Sequence, residues 1–336
     1  MSKIQSYGDK IKLERLFDTF HDNFRLTRLY AAYLEQFPEI ITADMIDSIC
    51  SDGTIEKNDA IAAILFEIFA LNNESDKRFF RNYIVPSIRI LDTKRYTSNP
   101  YYKNIKLPDV KRGTWEFKNE SYLPYRAVIC NDMIINDDFT EIAPLGFFEE
   151  EFFFPAVLED GNEWMTLTPV DLDTCDDAIE AAHGKVITFG LGLGYYAYMV
   201  SLKETVESIT VIEKNEKVIE LFREYILPQF SHPEKVRIIN ADAFEYAEHE
   251  MPKENYDYAF VDTWRDASDG APMYKRMKPL EALNPNTEFS YWIENFLISN
   301  IAAEKLVEIR EKYYSGELNM SYEEVENTLK NILQKG

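Results

Sequence analysis

Cysteine is nearly absent: Cys50, Cys130 and Cys175 are the only three in 336 residues. Their odd number and wide spacing exclude a disulfide framework and a zinc pattern. They fit free thiols in a reducing compartment. Histidine is as scarce, and His21, His183, His232 and His249 show no metal-ligand spacing, so no metal is expected. Long apolar runs are missing too. AIAAILFEIFAL is too short to span a bilayer and carries Glu67. The N-terminal MSKIQSYGDK has no apolar stretch of signal-peptide type. The expectation is a soluble, cytoplasmic chain with no membrane partner. Positive charge is in deficit: 36 Lys and Arg against 59 Asp and Glu give a formal charge of -23. Such a surface repels phosphate backbones and makes nucleic acid a poor substrate, while tolerating a neutral or cationic small molecule. The one basic, Tyr-rich loop, KRYTSNPYYKNIK, does not reverse that balance.

What is present is a core-forming composition, 46% apolar, in a chain long enough for one large domain or two modest ones. Residues 1–110 read as an N-terminal helical domain. Leu13, Leu16, Phe17, Phe20, Phe24 and Leu29 recur at helical spacing. Shorter helices follow in TADMIDSI, NDAIAAILFEIFAL and SDKRFFRNYIVPSIRIL, with Thr42, Asn58 and Ser75 as N-caps. Residues 111–165 read as a β-strand and hairpin region, in which Asp160-Gly161 between apolar runs is a tight-turn signal. Residues 166–290 alternate strand and helix. KVITFG, SITVIEK, VRIINAD and YDYAFVD are the strands, which implies a parallel sheet with helices on its faces. Residues 291–336 are C-terminal helices, the last opened by a Ser321–Glu324 capping box. The helical segments are a candidate homodimer surface.

The chain has only 12 glycines, yet Gly190, Gly192 and Gly194 fall within five positions directly after the strand KVITF. A strand, close-spaced glycines and then a helix make a nucleotide-binding turn, because glycine permits a tight turn and close approach to bare backbone. Glycines also serve strand–helix packing, so the next strands matter. SITVIEK delivers Glu213 at its end, about 20 residues on, where an acid can accept both ribose hydroxyls. VRIINADAF ends in Asp242 and Ala243, and YDYAFVDTW in Asp262. Three acids at three successive strand ends would line one crevice at the carboxyl edge of the sheet. Asp242 could equally be an N-cap for the helix that follows it.

The alternation G-L-G-L-G resembles the first motif of class I S-adenosylmethionine-dependent methyltransferases and their aminopropyltransferase relatives, the spermidine synthase-like branch. The resemblance spans about Val157 to Asp269. It implies an α/β, Rossmann-like sheet and S-adenosyl-L-methionine as cofactor. It further implies that Asp242 takes the adenine amino group beside the Ala243 amide, and that Asp262 faces the reacting centre with Asp266 in reserve. Trp264 and Tyr274 are then candidates to stack on a small-molecule acceptor. The chain departs from the family at three places. Thr188 stands where most such methyltransferases have an acid. Leu193 stands where the polyamine-forming relatives have an Asp. Arg265 stands where those relatives have a second acid, with Asp266 one residue out of register. The later strands of a full methyltransferase sheet are not evident between Ala271 and Gly336, so truncation after strand 4 or 5 is expected, with TEFSY the candidate fifth strand. Methyl transfer, aminopropyl transfer and non-catalytic nucleotide binding are thus the competing expectations. G-L-G-Y-Y-A from Gly192 to Ala197 also satisfies the dinucleotide form. The missing late strands and the lack of a His or Lys cluster weigh against an NAD enzyme.

Overall fold

The computed structural model describes residues 7–108, 110–265 and 267–334. The chain forms two compact units that are interleaved in sequence. One comprises Met1–Leu91, Pro124–Glu149 and Glu294–Gly336; the other comprises Asp92–Leu123 and Glu150–Ile293. This differs from the linear order 1–110, 111–165, 166–290 and 291–336 expected from sequence. The segment between the first hairpin strands returns to the helical unit, and its short strands carry no composition shift that would betray it.

The first unit is built on the helix Tyr7–Gln36, against which the helices Glu294–Tyr314 and Tyr322–Leu333 pack. Leu13, Leu16, Phe17, Ala302, Leu306, Val325 and Leu329 are buried in that contact. The Ser321–Glu324 capping box opens the last helix as expected. The unit is not all-helical. Strands β1 (Ile88–Leu91), β4 (Ala127–Ile129) and β7 (Leu145–Phe148) form a sheet in the order β1-β7-β4, and β5 (Ile134–Ile135) pairs with β6 (Glu141–Ile142). Pro86 lacks the N–H that a continuing helix needs, and the β-branched Ile88 and Ile90 extend instead. Two helix starts also lie two residues earlier than the cap residues suggest. Glu56 precedes Lys57–Ile68, and Asn73 forms a reciprocal box with Asp76.

The second unit holds two sheets. Strands β2 (Val110–Arg112), β3 (Trp115–Tyr122), β8 (Phe152–Glu159) and β9 (Asn162–Thr166) make an antiparallel sheet in that order. Asp160 (φ 53°) and Gly161 (φ 80°) both adopt the left-handed region, giving the two-residue β8–β9 turn that Asp-Gly announces. Phe152 and Phe154 are buried while Phe153 between them is exposed, the alternation of a half-buried strand.

The other sheet contains β10 (Gly184–Phe189), β11 (Val206–Glu213), β12 (Val236–Asn240), β13 (Tyr258–Val261) and β14 (Glu288–Tyr291). All four pairings are parallel and the order is β12-β11-β10-β13-β14. Counted from β10, that is 3-2-1-4-5, the doubly wound order whose reversal next to the first strand opens a ligand crevice at the carboxyl ends. β14 is the TEFSY segment. Val186, Ile187, Phe189, Ile209, Val211, Ile212 and all of β13 are buried, the continuous apolar character of strands covered on both faces.

Candidate functional site

The register aligns the strand ends. Phe189 of β10 pairs with Ile212 of β11 and Val261 of β13, and Glu213 of β11 pairs with Asn240 of β12. The residues just beyond, Gly190, Asp242 and Asp262, therefore emerge at one edge. There they line a cleft of about 550 Å³, all of it within the second unit.

The three glycines have three different reasons. Gly190 (φ 102°) lies against the neighbouring strand end: a Cβ there would come within 1.9 Å of the Asp262 carbonyl oxygen. Gly194 (φ 74°) precedes the helix Tyr195–Ser201, and a Cβ would sit 2.2 Å from the Phe222 ring. Gly192 (φ 52°) has nothing within 4 Å of that position. Two glycines thus accommodate the protein's own packing, and Gly192 presents bare backbone to open space. Leu191 and Leu193 also line the cleft but are buried.

Glu213 latches the turn. Its Oε2 accepts the Leu191 N–H at 3.1 Å and its Oε1 the Asn215 N–H at 2.7 Å. A carboxylate has about four lone-pair sites, so two backbone donors leave acceptor capacity on the cleft side. Asp242 does two things. It caps the helix Ala243–His249, accepting the Phe244 and Glu245 N–H groups at 3.0 and 3.2 Å. Its other oxygen pairs with Lys214 at 3.1 Å. Partial burial works to raise its pKa, but the Lys214 bond and the cap N–H groups outweigh this and hold the carboxyl below its ordinary value. The capping reading of Asp242 is therefore realised, and Asp242 and Ala243 line the cleft as well.

Asp262 is half-buried and lies between acids. Desolvation, then Asp171, then Glu213 push its carboxyl up to about 8. Asp171, which the sequence reading did not single out, lines the same cleft from the helix Pro169–Asp173. It closes a capping box with Thr168, whose N–H and hydroxyl donate to its Oδ2 at 2.7 and 2.8 Å. Burial nonetheless carries it to about 6. The pattern T-P-V-D is visible in the sequence as a helix start, but its position over the glycine turn is not.

Trp264 lines the cleft, buried, with its ring stacked on Tyr291 (6.4 Å, 11°). Its indole N–H has no partner among the described residues; nor do the buried Tyr196 and Thr263 hydroxyls, from two further lining residues. Tyr274 does not line the cleft. It packs edge-on against Tyr291 (4.9 Å, 71°), and so belongs to the packing behind Trp264 rather than to an acceptor surface. Asp266 lies outside the described residues. Thr188 is buried on β10 and also reaches the cleft.

The segment KRYTSNPYYKNIK, an irregular linker by its composition, forms the helices Thr93–Thr97 and Pro100–Asn104. These buttress the glycine turn. The Tyr101 hydroxyl donates to the Leu193 carbonyl at 2.6 Å, and its ring meets Tyr195 and Tyr198 edge-on. Asn99 and Asn104 donate to the Tyr195 and Tyr198 hydroxyls at 3.0 and 2.8 Å. From the other side, Glu163, Trp164 and Met165 of β9 complete the wall.

No protein-family model matches the chain, and no curated protein matches it. Among solved structures, a spermidine synthase in complex with the transition-state analogue AdoDATO aligns at 17% identity and TM-score 0.30, covering 47% of this chain and 59% of that one. Spermidine synthase from Thermotoga maritima aligns at 17% identity and TM-score 0.31, covering 47% and 60%. TrmN from Thermus thermophilus aligns at 22% identity and TM-score 0.30, covering 39% and 40%. The aligned part thus spans about six-tenths of each spermidine synthase. The strand order and the cleft at its switch point, rather than these distant likenesses, make the second unit a doubly wound, Rossmann-like fold.

Proposed function

We propose that the cleft binds S-adenosyl-L-methionine and that the chain transfers its methyl group to a small-molecule acceptor by in-line displacement. The observation that carries this reading is the pairing of Glu213 with the glycine turn. One carboxylate at the end of the second strand holds the Leu191 N–H and lines the cleft beside the open backbone of Gly192. The residues fit such a group: a diol acceptor in Glu213, bare backbone at Gly192, and three buried polar atoms with no partner among the described residues.

A bound sulfonium donor supplies an already activated methyl group. The chain's own residues then position and exclude water. Glu213 would hold the ribose hydroxyls, and Asp242 and Ala243 would flank the base. Asp262 is the candidate to hold or accept a proton of the acceptor, and a carboxyl poised near 8 suits that exchange. Trp164, Trp264 and Tyr196 supply walls. The net charge of -23 favours a neutral or cationic small acceptor over nucleic acid. No described helix is long and apolar enough to cross a membrane. Aminopropyl transfer is the second reading, favoured by the carboxylates in the cleft. The buried, neutral Leu193, where the polyamine-forming relatives have an Asp, weighs against it, and Thr188, where most such methyltransferases have an acid, joins Leu193 in leaving binding without turnover as a third. The helical unit as a homodimer surface, and residence in the cytoplasm, remain parts of the same proposal.

Calorimetric titration with S-adenosylmethionine, S-adenosylhomocysteine, decarboxylated donor and NAD tests the reading. Binding of the first two with turnover on an acceptor panel is expected. Preference for the decarboxylated donor would move the assignment to aminopropyl transfer. Binding of NAD alone would overturn it.

A further inference from the structure

The end of the cleft beyond the glycine turn has an unbalanced charge. Asp171 lies close enough to raise the proton affinity of Asp262, with Glu213 and the buried Cys175 thiol as the other titratable groups facing them. The basic residues among the lining are committed elsewhere: Lys214 to Asp242 at 3.1 Å and Arg265 to Asp269 at 3.3 Å. No described basic side chain pairs with Asp171 or Asp262. Two carboxyl groups in a partly desolvated cleft without a countercharge are unfavourable when ionised, and a cation relieves them.

A second observation points the same way. Tyr196 is more than nine-tenths buried, lines the cleft, and its hydroxyl has no partner among the described residues. That hydroxyl interacts electrostatically with Cys175, which in turn interacts with Asp171 and Asp262. It therefore stands at the acidic end of the cleft as an unused acceptor.

We infer that Asp171 and Asp262 form the cation-binding end of the cleft and hold a positively charged group of an adenosyl ligand, in place of the acids absent at Thr188 and Leu193. This rests on the adenosyl reading above. The task of the missing acids has moved to a different element, the helix Pro169–Asp173, whose capping box fixes the Asp171 carboxyl by two donors. Near neutral pH the pair retains a proton on Asp262. An arriving cation takes that proton's place, so the proton passes to the buffer.

The test uses the full chain and three probes: S-adenosylmethionine, decarboxylated S-adenosylmethionine, and 5′-methylthioadenosine, which has the nucleoside and neither cation. Titrations in buffers of different ionisation enthalpy read affinity and proton release together. Both cationic probes are expected to bind the wild type more tightly than 5′-methylthioadenosine and to release protons. Asp171→Asn should weaken the cationic probes about 10- to 100-fold, the equivalent of one charge-assisted hydrogen bond, and leave 5′-methylthioadenosine unchanged. Asp171→Glu should restore part of the loss, and Asp262→Asn should abolish the proton release. Glu213→Ala, by contrast, should weaken all three probes alike. If Asp171→Asn loses its cap and its melt, Asp262→Asn carries the same comparison. Equal loss of all three probes in Asp171→Asn, or no loss, overturns the inference while the nucleoside site stands. Failure of every probe to bind the wild type overturns the adenosyl reading itself.

Discussion

The Glu213 carboxylate accepts the Leu191 backbone N–H at 3.1 Å, so the end of one strand holds the glycine turn of its neighbour in place. The acid proposed to bind ligand at this position is therefore also a structural one. Glu213→Ala should lower the melting temperature as well as weaken nucleoside binding, by about 1.5–3 kcal/mol for each charge-assisted hydrogen bond lost. Calorimetry on the variant reads both. Unchanged nucleoside affinity would remove Glu213 from the site.

The glycines should separate when each is replaced by alanine. Gly190→Ala pushes a methyl into the Asp262 carbonyl from a left-handed backbone, with an expected loss of about 3 kcal/mol or more. Gly194→Ala meets a ring that can move, so its loss should be smaller and partly recovered by Phe222→Leu. Gly192→Ala has open space and only the conformational term of about 1–2 kcal/mol, yet should weaken nucleoside binding most relative to its stability loss. Denaturant melts beside ligand titrations would show the order.

Stability should fall as pH rises through the acid range. Asp262 is raised by burial and by its acidic neighbours, from an ordinary 3.8 to about 8. Between those values the folded chain keeps a proton that the unfolded chain has lost, so rising pH favours unfolding, and the slope levels off above about 8. Glu141, buried in the first unit, behaves in the same way between 4.5 and about 7. Asp262→Asn and Glu141→Gln should each flatten the melting-temperature profile over their own window. A profile that rises toward pH 8 would contradict both assignments.

Trp264→Phe keeps the stack on Tyr291 and removes an indole N–H with no partner among the described residues. Without ligand the variant should melt within about 1 kcal/mol of wild type, since loss of an unsatisfied buried donor offsets the smaller ring. A larger loss would mean that the N–H has a partner, such as an ordered water.

The parallel sheet was legible because β10, β11 and β13 are largely apolar runs and the first four strands lead into Gly190, Glu213, Asp242 and Asp262 at their turns. TEFSY, with a single short alternation, was just readable as β14. Asp171 was not legible as a site residue. A capping aspartate reads the same whether its helix ends in solvent or over a cleft, and only the fold decides. Tyr274 and Trp264 looked alike as aromatic candidates on one segment; Tyr291 separates them, because one ring packs behind it and the other faces the cleft. The β-strand Ile88–Leu91 was hidden by the helical spacing of the residues before it, although Pro86 marks the boundary. The helices around Tyr101 were masked by their turn-forming Asn and Pro residues, which turned out to be caps.

The chain passes between its two units at 91/92, 123/124, 149/150 and 293/294. A ribosome therefore releases the helix Tyr7–Gln36 well before the helices Glu294–Tyr314 and Tyr322–Leu333 that cover it. Leu13, Leu16 and Phe17 must wait for Ala302, Leu306 and Leu329, with the whole second unit made in between. No single cut in the gene separates the helical unit from the sheet-bearing one, and a chain shortened by its final helices would leave its own beginning uncovered.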